Sequence, residues 1–150
     1  MPDLEDVRRE LDRDELNYPQ LARELGPEAL PQLEALVAED EPRVASKAAY
    51  LAGVIAGPTS SRVVSLASDS RHDVVRVAAA ATATALPADE VAGIVEHLMA
   101  DPDVGVRARA ARSAAQLEGD DLRDRLQAMA RNDDEPALRE LAAELAEPSG

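Results

Sequence analysis

The sequence predicts an all-α protein, an α-solenoid of stacked antiparallel helix pairs with about 31 residues per repeat. Apolar side chains recur every 31 positions, as at Leu33, Val64, Val95 and Leu126. Within a repeat they are spaced i, i+4 and i+7, which is one face of an α-helix. Glycine and proline recur with the same period. They mark turns between helices, because glycine closes a helix and proline suits the first turn of the next. These turns are Gly26-Pro27, Gly57-Pro58, Pro87-Ala88 and Gly119-Asp120.

The periodicity indicates one continuous array over residues 1–150, in which each repeat holds a first and a second helix. A degenerate N-terminal cap occupies 1–25, the repeats occupy 28–146 and a tail occupies 147–150. The first helices are predicted at 43–55, 74–86, 105–117 and 136–146. The second helices are predicted at 28–38, 60–69, 89–100 and 120–131.

The first helices carry a small-residue pair, such as Ala79-Ala80 or Ala110-Ala111, that lets neighbouring first helices approach closely. Three of them begin with an acid followed by Val or Leu and then arginine, in the segments 73–76, 103–107 and 135–139. In these features the sequence resembles the HEAT repeat family, in the short variant seen in bilin-lyase-like proteins. The resemblance covers roughly 28–146 and implies a solenoid of helical hairpins.

The charge and the apolar content of the sequence limit the kinds of partner and location that can be expected. There are 30 acidic and 16 basic residues, the net charge is −14, and Lys47 is the single lysine. This acidity disfavours nucleic acid as a partner, and no apolar segment is long enough to span a membrane. The acidic start at Met1 is unlike a secretory signal, so a cytoplasmic protein is expected. The same composition is typical of proteins from a high-salt cytoplasm, although a GC-rich genome also raises arginine and alanine.

No catalytic, cofactor-binding or metal-binding residue is predicted. The chain has no cysteine, no paired histidine ligands and no glycine-rich phosphate loop. The acids fall mainly at helix ends and in turns, where water keeps them ionised. We therefore expect a protein that is not an enzyme and has no cofactor.

Arginine recurs at one position of three first helices, at Arg76, Arg107 and Arg139. These side chains could form a basic strip that binds phosphate or a carboxylate. The favoured interpretation is a ladder in which each arginine pairs with an inter-repeat acid such as Asp73, Asp103 or Asp134.

The predicted function is that of a non-catalytic adaptor or regulatory scaffold, which binds another protein in a groove lined by the second helices. The acidic ends favour a partner with a basic segment. Val63, Leu66 and Ile94 would anchor the partner, although Val63 and Ile94 could instead pack against neighbouring helices. The full predicted partner-binding set is Arg62, Val63, Leu66, Ile94, Glu96, His97, Asp124, Arg125 and Gln127.

Two alternatives follow from the resemblance. Short HEAT proteins include bilin lyase and isomerase subunits, which attach or remove linear tetrapyrroles on a pigment-binding protein. HEAT-like arrays also include DNA glycosylases. The cluster of Arg107, Arg109 and Arg112 supports DNA binding. It is nevertheless the weaker alternative, because both ends of the chain are acidic and its only aromatic residues are two tyrosines, whereas such an enzyme needs aromatic side chains to contact the lesion.

Overall fold

The computed structural model describes residues 3–117 and 119–147, and this part of the chain is helical throughout, with no strand. The predicted tail falls largely outside it, since 148–150 are not described. The helices are α1 (Leu4–Leu11), α2 (Tyr18–Leu25), α3 (Leu30–Ala38), α4 (Pro42–Ile55), α5 (Ser60–Ser68), α6 (Asp73–Thr82), α7 (Ala88–Met99), α8 (Val104–Gln116), α9 (Asp120–Asn132) and α10 (Pro136–Ala146). Short 3-10 turns precede α3 at Pro27–Ala29 and follow α6 at Ala83–Ala85.

The helices form two layers. Helices α2, α4, α6, α8 and α10 pack side by side in sequence order and form the first-helix layer. Helices α1, α3, α5, α7 and α9 do the same and form the second-helix layer. From α3 onward every helix also packs against the next one in the chain, so that consecutive hairpins stack on each other. The predicted all-α array of helix pairs is confirmed.

The core lies between the two layers and is built from the predicted stripes. Leu33, Val64 and Val95 are fully buried, and Leu126 is 3% exposed. The small-residue pairs of α4, α6 and α8 are buried as well, which permits close packing between helices of that layer. At Gly53, an added Cβ would lie 1.7 Å from the Thr82 hydroxyl oxygen of the next first helix. A side chain at this point would force α4 and α6 apart.

Most helix ends lie within two residues of the predicted positions, and α6 is the main exception. Its α-helical part stops at Thr82, four residues before the predicted end. The chain then forms a 3-10 turn and becomes extended at Leu86, with ψ of 160°. Leu86 precedes Pro87, and the proline ring disfavours helical geometry in the residue before it.

The turn after α4 also differs in detail from the expected glycine cap. The left-handed residue is Ala56, at φ 53°, and not Gly57. Gly57 is required for another reason, because a Cβ there would lie 2.9 Å from a methyl group of Leu30. The glycine at this position therefore serves close packing between hairpins.

Polar contacts hold both ends of α1. Asp3 and Asp6 form a capping box at its start. The Lys47 ammonium donates hydrogen bonds to the carbonyl oxygens of Leu11 at 2.9 Å and Arg13 at 3.1 Å. The lysine thus neutralises the negative end of the α1 dipole.

Candidate functional site

The arginine column forms a ladder at the edge where consecutive hairpins meet. The Arg76 guanidinium donates to both carboxylate oxygens of Asp101, at 2.8 and 3.2 Å, and to the Ser70 carbonyl oxygen at 2.8 Å. The Asp101 side chain is only 4% exposed. Such a bidentate pair in a water-poor site joins α6 firmly to the turn that follows α7.

Arg107 repeats this arrangement one hairpin later. Its guanidinium donates to both oxygens of Asp133, at 3.1 and 3.2 Å, and to Asp134 at 3.1 Å. It also donates to the carbonyl oxygens of Asp101 and Pro102. Burial raises the pKa of Asp133, but hydrogen bonds from the Glu135 N–H and from Arg107 outweigh it and hold the pKa below its ordinary value.

The ladder itself was predicted, whereas most of its partners were not. Asp134 is a partner, but the main acids are Asp101 and Asp133, and neither Asp73 nor Asp103 takes part. The Asp103 side chain caps α8 by accepting the Val106 N–H at 2.9 Å. Because Arg76 and Arg107 are little exposed and already paired with acids, the column is not a basic strip open to a phosphate. Within the described residues, Arg139 ends the ladder with a single bond, to the Asp133 carbonyl oxygen at 2.6 Å.

The predicted partner-binding residues lie on α5, α7 and α9, in the second-helix layer. Leu66 is 39% exposed, whereas Ile94 is half-buried against the core. Val63 is fully buried and cannot contact a partner, which corrects its assignment as an anchor. The physical reason is that Val63 belongs to the core cluster, so that this position of α5 faces the neighbouring helices and not the solvent.

The charged members of that set largely pair with each other or with adjacent helices. Arg62 lies 3.0 Å from Glu34, and the Arg125 guanidinium lies 3.9 Å from Glu96. The imidazole of His97 lies 3.6 Å from Asp69. The remaining two, Asp124 and Gln127, are exposed on α9. The face therefore presents one clear apolar side chain among cross-helix ion pairs.

A further charged cluster joins two turns at the hairpin edge and was not predicted. Arg71 and His72 both hydrogen-bond Asp40, with the imidazole nitrogen 2.6 Å from its carboxylate. Hydrogen bonds from Arg71 and then His72 hold the pKa of Asp40 far below its ordinary value of 3.8. The cluster is exposed to solvent and links successive turns in the same way as the ladder does.

The two tyrosines meet on the first-helix layer, in a cleft that was also not predicted. The rings of Tyr18 and Tyr50 lie 4.8 Å apart between centroids and are tilted by 59°. Burial raises the pKa of Tyr18, and the neighbouring Tyr50 adds to the effect. Lys47 and Ala78 complete the shallow cleft, whose volume is about 280 Å³. The 31-residue period could have indicated this cleft, since Lys47 and Ala78 occupy the same position of consecutive repeats.

Among the described residues, no group of three or more histidine, cysteine or carboxylate side chains could hold a metal ion. No helix among them is long and apolar enough to cross a membrane.

A solved structure has a similar fold, that of the complex of CpcE and CpcF of phycocyanin lyase from Nostoc sp. PCC7120. One chain of that complex matches with a TM-score of 0.71 and 20% sequence identity, over 86% of this chain and 86% of that chain. The chain has the HEAT-like repeat fold. No protein-family model and no curated protein matches the sequence of this chain. The resemblance inferred from the 31-residue period is thus confirmed at the level of the fold.

The same comparison corrects the prediction that the protein is not an enzyme. The array shares its fold with a subunit of a lyase, and that protein acts in a complex of two different subunits. The prediction rested on the absence of familiar catalytic motifs. It was wrong because a solenoid can take part in an enzymatic assembly without any of those motifs.

Proposed function

We propose that this protein is the repeat subunit of a lyase-type assembly, which acts with a second protein to attach linear tetrapyrroles to a pigment-binding protein or to remove them. The observation that carries the proposal is the shared fold with a subunit of the phycocyanin lyase complex over 86% of both chains. The HEAT-like repeats inferred from the sequence, in the bilin-lyase-like variant, support the same assignment.

In this proposal the second-helix face contacts the pigment-binding protein. Leu66 is the apolar anchor, and Arg62, His97 and Arg125 are exposed polar side chains of the same layer, on α5, α7 and α9. An apolar anchor with polar side chains further out is a common arrangement at protein interfaces. Ile94, Glu96, Asp124 and Gln127 extend the face along α7 and α9.

The experiment is a pigment-transfer assay on the intact complex. The tagged full-length chain is isolated from its own host together with whatever subunit binds it. The preparation is then incubated with phycocyanin, with and without its pigment, and covalently bound tetrapyrrole is measured by absorbance after denaturation. Transfer or release that depends on this chain supports the proposal. A complex that is inactive in both directions, or a host genome without genes for pigment-binding proteins, contradicts it.

A matched pair of variants tests the assigned face. Leu66→Arg should abolish pigment transfer, because it places a charge at the centre of the contact. Ser65→Arg, one exposed position earlier on the same helix, should leave the transfer rate nearly unchanged. Equal activity of the two variants would contradict the placement of the contact on this face.

A further inference from the structure

The charge of the protein is unevenly divided between the two layers. Helices α4, α6 and α8 together contain six basic residues and one acidic residue, in a chain whose net charge is −14. The acid is Asp73, at the first position of α6. Arg43, Arg76 and Arg107 pair with acids of other elements, so the positive charge that remains in the middle of this layer is that of Lys47, Arg109 and Arg112.

The outer face of α6 within this region is apolar. Val74, Ala78, Ala81 and Ala85 are spaced i, i+4, i+7 and i+11, so they form one stripe along the helix and its 3-10 extension. Val74 is 51% exposed, Ala85 is exposed, and the two alanines between them are half-buried. The solvent face of a helix ordinarily carries polar side chains. Here it carries none at these four positions.

Longer side chains on the two neighbouring helices, α4 and α8, flank this stripe at equivalent positions of their repeats. Lys47 and Tyr50 on α4, and Arg109 and Arg112 on α8, lie 31 residues before and after Ala78 and Ala81. Adjacent packed helices are about 8–10 Å apart, so the two walls are separated by roughly 18 Å. This width accommodates one α-helix, whose diameter with side chains is about 10–12 Å. We call this surface the first-helix groove.

The arginines of the groove are available to a ligand. Neither Arg109 nor Arg112 forms an ion pair or side-chain hydrogen bond with any of the described residues, unlike the buried ladder residue Arg107 on the same helix. Glu144 on α10 continues the position of Arg112 one hairpin later, but it is not within ion-pair distance. Lys47 uses two of its three N–H groups on carbonyl oxygens and retains one.

We propose that the first-helix groove binds an acidic amphipathic helix of a partner protein. Apolar side chains of that helix pack on Val74, Ala78 and Ala81. Its carboxylates pair with Arg109 and Arg112 on one wall, and a carboxylate on its other side accepts the remaining N–H of Lys47. Tyr50, which is 37% exposed, supplies the aromatic contact at one end.

An acidic helix fits this groove better than a nucleic acid or a membrane surface does. The cations stand on either side of an apolar floor, and a phosphate backbone would gain nothing from that floor. A long polyanion would also extend beyond the positive region and meet the repulsion of a chain at −14. A single helix contacts only the positive part. The inference does not depend on the lyase proposal, because it concerns the opposite layer of the array.

The test uses a fluorescein-labelled peptide, cross-linked into a helix, with leucine at i, i+4, i+7 and i+11 and glutamate on both flanks. Binding to the full-length protein is measured by fluorescence anisotropy. The expected result is saturable binding that weakens about tenfold or more in the Arg109→Glu/Arg112→Glu variant. The matched control is Arg123→Glu/Arg131→Glu, which reverses two exposed arginines on α9 and should change the affinity less than about twofold.

A second variant tests the floor without changing charge. Ala81→Gln places a polar side chain in the middle of the stripe and should also weaken binding, while circular dichroism shows an unchanged helical spectrum. The inference is overturned if a lysine-for-glutamate version of the peptide binds equally well, or if the α9 control loses as much affinity as the groove variant. It is also overturned if single-stranded DNA or vesicles of anionic lipid bind through Arg109 and Arg112 while the acidic peptide does not.

Discussion

Removing the acid from the second rung of the ladder should destabilise the array far more than removing an acid from a loose ion pair with an exposed arginine. Asp133→Ala deletes both carboxylate oxygens that Arg107 bonds at 3.1 and 3.2 Å, in a pair whose side chains are 10% and 7% exposed. Breaking a buried ion pair costs about 3–5 kcal/mol when one charge is left without a partner. Arg107 keeps Asp134 and two carbonyl oxygens, so the expected loss is about 2–3 kcal/mol.

The assay is urea unfolding followed by the helical circular dichroism signal. For a chain of this size the loss corresponds to a melting temperature lower by roughly 4–12 °C. Glu96→Ala is the matched control, because Glu96 lies 3.9 Å from a well-exposed Arg125, and it should cost less than about 0.5 kcal/mol. The double variant Arg107→Met/Asp133→Leu should recover most of the lost stability. Equal losses for Asp133→Ala and Glu96→Ala would refute the claim that the ladder holds the hairpins together.

Three further predictions concern the core, acid and salt. Leu126→Asp should cost several kcal/mol because it buries an unpaired carboxylate, whereas Gln127→Asp, one exposed position along, should be nearly silent. Equal melting temperatures would show that the core stripe is misplaced. Because folding lowers the pKa of Asp40, its carboxylate stabilises the fold above about pH 4, and this contribution decreases progressively as the pH falls below that value. Asp40→Asn should therefore lower stability at neutral pH, and the difference from the unmodified protein should shrink as the pH is lowered. A difference that does not depend on pH would contradict the assignment. For the unmodified protein, the melting temperature should rise between low salt and about 1 M KCl, where the Debye length falls to ~3 Å and self-repulsion is screened. A flat or falling melting temperature would mean that ion pairs outweigh that repulsion.

The period of the apolar residues was sufficient to predict helices α3 to α10, their pairing and most of the core, whereas α1 and α2 lie in the degenerate cap, for which no helix was predicted. It was sufficient because a repeat array buries the same positions in every hairpin, so four copies of a weak signal reinforce each other. It failed where one copy departs from the rest, as at Leu86, where a local effect of Pro87 ends α6 early. It also failed at Val63, which belongs to the core, whereas Ile94 at the equivalent position of α7 is only half-buried, so burial next to the stripe differs between repeats.

The partners of the arginine ladder could not be found from spacing alone. Asp103 is closer to Arg107 in sequence than Asp133 is, and its position before α8 looked suitable for an ion pair. However, an aspartate at a helix N-cap is already bound to backbone N–H groups, and Asp103 is oriented towards Val106. The guanidinium of Arg107 therefore turns to the acid of the next inter-hairpin turn. Choosing between these acids requires the direction of each side chain, which the sequence does not contain.

The first-helix groove was likewise not predicted from the sequence. Its charges determine how salt should affect peptide binding. Neither the net charge of −14 nor its distribution along the chain shows that Lys47, Arg109 and Arg112 lie in one layer without an ion-pair partner among the described residues. Repulsion among the acids opposes folding, whereas attraction between Arg109, Arg112 and an acidic helix favours binding, and salt screens both. The protein should therefore gain thermal stability and lose affinity for the acidic peptide over the same range of KCl. Parallel titrations by calorimetry and by anisotropy measure the two trends. If affinity rose together with stability, the apolar floor would supply the binding energy and the arginines would not.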